Sequence, residues 1–159
     1  MKRILIVAMV LVLVLSIAQS AVAKGKPVHV GAGKYDPIGA GARKVMLYNS
    51  EGFECDEGAV DTTGEVYGFV ILNTNSSGDL IIQVSLKGAP PDAEYDLWVN
   101  QDPGACPLEE PTVEAALLTN QVGNGKFHYA MPRLEGATRF WVTVQGGELV
   151  LRSTAVELD

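Results

Sequence analysis

Apolar and polar positions alternate with period two along much of this chain, most cleanly over residues 79–100. Leu80, Ile82, Val84 and Leu86 alternate with Ile81, Gln83, Ser85 and Lys87. That is the pattern of a half-buried strand, whose successive side chains point to opposite faces. Gly88-Ala89-Pro90-Pro91-Asp92 then breaks the pattern, because the prolines supply no ladder donors and preset φ for a bend. A second alternation sets Tyr95, Leu97 and Val99 against Glu94, Asp96, Trp98 and Asn100. Strand, corner, strand is the expectation, with the flanking segments added as further strands.

Upstream, residues 44–48 predict a first strand, turned by Asn49-Ser50-Glu51-Gly52. An acidic loop follows over residues 53–63. Residues 66–73 are apolar on both phases, which predicts a mid-sheet strand covered on both faces. Downstream, residues 101–112 read as a loop rich in proline. Residues 114–119 suit a helix or an edge strand, and their shortness favours the strand. Gly123-Asn124-Gly125 marks a turn. Phe127, Tyr129 and Met131 alternate with Lys126, His128 and Ala130, then Phe140, Val142 and Val144 with Arg139, Trp141 and Thr143. Gly146-Gly147 closes a hairpin into a last strand over residues 148–158. Together these predict an all-β domain, an antiparallel β-sandwich of seven or eight strands.

The N-terminus reads differently. Lys2 and Arg3 precede a nearly unbroken apolar run over residues 4–18, and Ala21-Val22-Ala23 offers a small-x-small cleavage pattern. This is a secretory signal peptide over residues 1–23. The run is shorter than the ~20 residues of a spanning helix; retention as an anchor is the alternative. Residues 24–43 form a Gly-rich basic arm ahead of a domain at 44–159. Gly31-Ala32-Gly33-Lys34 lacks the glycine spacing and the Lys-Ser/Thr pair of a phosphate loop, so no nucleotide site is read there.

Charge narrows the partners. The full chain carries 12 basic and 19 acidic side chains, and the leader removes two of the basic ones. Nucleic acid and anionic lipid are poor partners for so acidic a body. The arm is the exception, with Lys24, Lys26, Lys34, Arg43 and Lys44 against Asp36 alone. Over residues 51–114, Lys87 is the one basic side chain.

Residues 91–99, with Pro91, Ala93, Tyr95, Leu97 and Val99 at alternate positions, resemble the tyrosine-corner strand of fibronectin type III and other immunoglobulin-like domains. The resemblance implies that the Tyr95 hydroxyl bonds back to nearby backbone at a structural corner. It carries architecture and no activity, since such folds host many functions.

Candidate chemistry is sparse. No hydrolase elbow or zinc-protease motif is present, and acidic residues on an exported domain are usually solvated, so the reading is non-catalytic and needs no cofactor. Glu54, Asp56, Glu57 and Asp102 are weak oxygen ligands for Ca²⁺, without an EF-hand spacing. A Cys/His metal site would recruit His29 and His128, neither of which has ligand spacing to a cysteine. Asn75-Ser76-Ser77 is an N-glycosylation pattern. Trp98 and Trp141 fall out of phase with their strands' apolar sets, which makes them outer-face rings, covered by another segment or open to a sugar or protein. The expected function is a secreted or cell-surface binding or adhesion module for protein or glycan. The alternative is a structural subunit of an extracellular assembly, a homo-oligomer whose arm adds as a strand to a neighbour's sheet.

Cys55 and Cys106 are the two cysteines, and in an oxidising compartment they pair as one disulfide. Closing a loop of ~50 residues restricts the unfolded chain by roughly 4 kcal/mol in the entropy model. Mass spectrometry of exported, unreduced, alkylated protein should find neither thiol modified; two alkylated cysteines would exclude the bond.

Overall fold

The computed structural model describes residues 41–50, 60–104 and 110–159. Cys55, Cys106, the leader and residues 24–40 of the arm lie outside the described residues, as do Glu54, Asp56 and Glu57, while Arg43, read as the end of the arm, opens the first strand. The described residues form nine strands: β1 (Arg43–Asn49), β2 (Val66–Thr74), β3 (Leu80–Leu86), β4 (Glu94–Asp102), β5 (Val113–Leu118), β6 (Gly125–Met131), β7 (Arg139–Gly146), β8 (Leu149–Ser153) and β9 (Val156–Glu157). Among the described residues there is no helix.

The strands form one antiparallel sheet in the order β5-β4-β7-β8-β1-β2-β3-β6, with β9 added beside β7. An isolated bridge between Thr119 and Gly125 brings the two ends of this order together. The result is a nearly closed barrel, where two clearly separate layers had been expected. The physical reason is β1, which pairs with β2 on one side and β8 on the other. That pairing removes a pair of edges that a sandwich would leave open. β4 pairs with β5 on one side and β7 on the other, while β6 pairs with β3.

The inward phase of the alternation forms the core. Leu80, Ile82, Val84 and Leu86 of β3 are 0–2 % exposed, and Tyr95, Leu97 and Val99 of β4 match them. Phe140, Val142 and Val144 of β7 join the same cluster. Two expectations change. β2 does lie mid-sheet, but only its inward Gly68, Val70 and Leu72 are buried; Phe69 and Ile71 are half-buried, with the Lys44 ammonium 4.1 Å over the Phe69 ring. The last strand is two, parted at Thr154 and Ala155, where Ser153 Oγ accepts the Val142 N–H at 2.9 Å. The strands before and after the corner do not pair with each other; the crossover carries the chain from β3 to β4 on the other side of the barrel.

That crossover, residues 87–93, interlocks with the β5–β6 turn. The Ala89 N–H donates to Gly123 O at 3.1 Å and the Asp92 N–H to Asn120 O at 3.3 Å. The Thr119 N–H donates to Ala93 O at 3.0 Å. The Thr119 hydroxyl donates to Pro90 O at 2.7 Å and accepts the Ala93 N–H at 3.0 Å. Gly123 is at φ +73°, and a Cβ there would run into the Ala89 carbonyl.

The turn itself repeats a device. Asn120 Oδ1 accepts the N–H groups of Val122 and Asn124, and its own N–H donates to Asn124 O. Asn75 does the same with Ser77 and Asp79 in the β2–β3 turn. Both turns read Asn-x-x-Gly, with Gly78 and Gly123 at positive φ.

Thr119→Val keeps the shape and removes the hydroxyl, so it should cost about 1–3 kcal/mol through the groups left unpaired. Gly123→Ala should cost about 2–4 kcal/mol through strain and the carbonyl clash. Urea denaturation measures both; unchanged midpoints would mean that the interlock is not a source of stability.

Candidate functional site

Lys87 and Lys126 meet on the outside of the barrel. Lys126 lies opposite Ser85 on the β3–β6 ladder, and Lys87 follows two residues after Ser85 on the same outward phase. They line an open cleft of about 470 Å³ together with Leu118, Thr119, Asn120, Asn124 and Gly125. The interlock described above fixes its floor. Asn120 is oriented by the turn, which engages its Oδ1 and leaves the amide nitrogen as the donor end. Leu118 gives the cleft an exposed apolar wall.

Three arginines lie elsewhere. Arg133 donates to the carbonyls of Ala137, Leu158 and Asp159 at 2.7, 3.0 and 3.0 Å and lies over the Phe140 ring. Arg139 pairs with Asp102 at 3.5 Å. Arg152 is buried. The cleft thus concentrates two ammonium groups on an acidic body. Among the described residues its lining brings two lysines, a threonine hydroxyl and two side-chain amides.

Trp98 and Trp141 both lie on the outer phase, as the alternation requires. Trp98 is half-buried. Trp141 is only 3 % exposed although it does not belong to the interior cluster. As a platform for a ligand, Trp141 is therefore closed off. Around it runs an outer row that sequence reasoning missed: Trp98, Thr143, Arg152 and Tyr48 are successive cross-strand neighbours on β4, β7, β8 and β1. Thr143 and Arg152 are buried, as is Asn100, the cross-strand partner of Trp141. The available clue was a run of polar residues in phase with the two tryptophans.

The remaining candidates are separate. Asp102 is held by Arg139 at the far end of β4, and among the described residues no group of three or more His, Cys, Asp or Glu could hold a metal ion. His128 lies outward on β6 opposite Gln83. Asn75 is exposed, but its Nδ2 already donates to Asp79 Oδ2 at 3.0 Å.

Tyr95 is fully buried, and its ring packs where a side chain on Gly146 would otherwise stand. Its hydroxyl is buried without a hydrogen-bond partner among the described residues. The backbone hydrogen bond implied by the tyrosine-corner resemblance is therefore not made there. Burial, helped by the nearby Tyr67, pushes the Tyr95 phenol from its ordinary 10.0 up to about 12. Tyr67 is pushed to about 12 as well, by burial first and then by the Glu65 carboxylate that accepts its hydroxyl at 2.7 Å.

The sequence matches no protein-family model and no curated protein.

Tyr95→Phe should leave stability unchanged or raise it by up to about 1 kcal/mol, because an unpaired buried hydroxyl is removed. The folded state holds both phenolic protons more tightly than the unfolded chain. Their contribution is therefore intact below pH 10 and is lost as pH rises from 10.0 through about 12. Denaturation midpoints across that range should fall, and fall less in Tyr95→Phe. A clear destabilisation by Tyr95→Phe at neutral pH would instead reveal a partner for the hydroxyl.

Proposed function

We propose that this protein is an exported, non-catalytic binding module whose ligand seat is the Lys87–Lys126 cleft. The observation that supports this reading is that Lys87 and Lys126 line one cleft with Thr119, Asn120 and Asn124 on an acidic chain. Ammonium groups recognise carboxylate or sulfate, and amides recognise hydroxyls. An acidic glycan supplies both, and Leu118 suits the apolar face of a sugar ring. The signal-peptide pattern of residues 1–23 supports a place outside the cell or at its surface. The likeness of residues 91–99 to immunoglobulin-like domains belongs to the same reading, as a likeness of architecture and not of ligand.

A glycan array of uronate-bearing and neutral oligosaccharides, probed with the exported protein, tests the proposal. Binding should be confined to the acidic members. Lys87→Ala with Lys126→Ala should weaken it roughly ten- to hundredfold, at the usual strength of charged hydrogen bonds. The denaturation midpoint should hold, as for other surface substitutions. Equal binding by the double variant, or a preference for neutral glycans, would overturn the assignment of the seat.

A further inference from the structure

The outer face of the barrel divides by charge at the Thr119–Gly125 joint. On one side, Glu94 and Asp96 lie on the outward phase of β4, and exposed Glu94 stands opposite Leu118, the wall of the cleft. On the other side, β6, β3, β2 and β1 are hydrogen-bonded in succession, and their outward positions form cross-strand rows. Lys126, Ser85, Phe69 and Met46 make the first row. His128, Gln83, Ile71 and Lys44 make the second. Neither row holds a carboxylate, in a chain with 19 acidic side chains.

An anion seated between Lys87 and Lys126 therefore has one favourable direction in which to continue. Toward β4 it meets Glu94, a like charge. Toward β2 it meets Phe69, whose half-buried ring is already occupied by the Lys44 ammonium at 4.1 Å. Along β6 it meets His128 with Gln83 beside it on β3, both exposed. Lys126 and His128 share a face of one strand, with their Cα atoms about 7 Å apart. The imidazole and the amide each present a hydrogen-bond donor and an acceptor, which suits carboxylate and hydroxyl together. Ala130, next on the same phase, is exposed and small, so the strand stays clear beyond His128.

We propose that the cleft is the first subsite of a track, and that the ligand is an acidic oligosaccharide that continues along β6 with a further uronate over His128 and Gln83. The track presupposes the Lys87–Lys126 seat proposed above. It adds a direction along the barrel and a ligand with more than one acidic sugar.

Isothermal titration calorimetry of the exported protein tests the track, with a single-uronate disaccharide and a galacturonate hexasaccharide as probes. The disaccharide fills the seat alone; the hexasaccharide also reaches the track. Gln83→Ala with His128→Ala should weaken the hexasaccharide roughly tenfold, at the usual strength of two hydrogen bonds, and leave the disaccharide unchanged. Both side chains are exposed, so the denaturation midpoint should hold. Lys44→Ala should change the binding of neither probe. Unchanged hexasaccharide affinity in the Gln83/His128 variant would overturn the track and leave the seat standing. A loss of hexasaccharide affinity in Lys44→Ala would also overturn it, because the ligand would then cross the sheet. If Lys87→Ala with Lys126→Ala weakens neither probe, the seat itself fails, and the track with it.

Discussion

The barrel depends on one interlock. The crossover from β3 to β4 must pass from one side of the barrel to the other, and it does so through two prolines that give the backbone few donors of its own. The β5–β6 turn supplies the missing partners, through the Thr119 hydroxyl and the carbonyls of Asn120 and Gly123. The same contacts set Thr119 opposite Gly125, which draws the two ends of the sheet together at that point. The floor of the Lys87–Lys126 cleft is the outer surface of this joint. Architecture and candidate site thus share one set of hydrogen bonds.

Strand identity was readable because burial imposes period two. The inward sets of β3, β4 and β7 are those the alternation marks, and the choice of strand over helix for residues 114–119, made on their shortness, agrees with β5. Order around the sheet was not readable. The pairing of β1 with β8 and of β3 with β6 depends on contacts far apart in the chain, and alternation carries no information about neighbours. A closed arrangement therefore looked like two layers. Lys87 and Lys126 were each visible as outward residues, but their meeting exists only through the β3–β6 ladder. The buried outer row around Trp141 was missed because the out-of-phase positions are polar, and polar residues on an outer face are ordinarily solvated.

Tyr95 separates two ways in which a residue can matter. A tyrosine corner works through the hydroxyl, whereas here the ring is the structural part. It fills the space that the absent side chain of Gly146 leaves at the β7–β8 hairpin, and the hydroxyl follows it into the interior. The sequence motif is the same in both cases, since alternation places the ring inward whatever the hydroxyl finds there.

The pairing of β1 with β8 has a consequence for how the chain acquires its shape. Leu47 waits for Ser153, and Tyr48 for Arg152, so the first strand finds one of its neighbours only when the last part of the chain is available. Barrels closed by such distant pairs fold slowly, because loop closure must precede the contacts that reward it. A chain emerging from its N-terminal end first has β2 and β3 to pair with β1, but no complete barrel. Until those final strands are available β1 keeps one edge unpaired, so the closed barrel belongs to the whole domain and not to its first half.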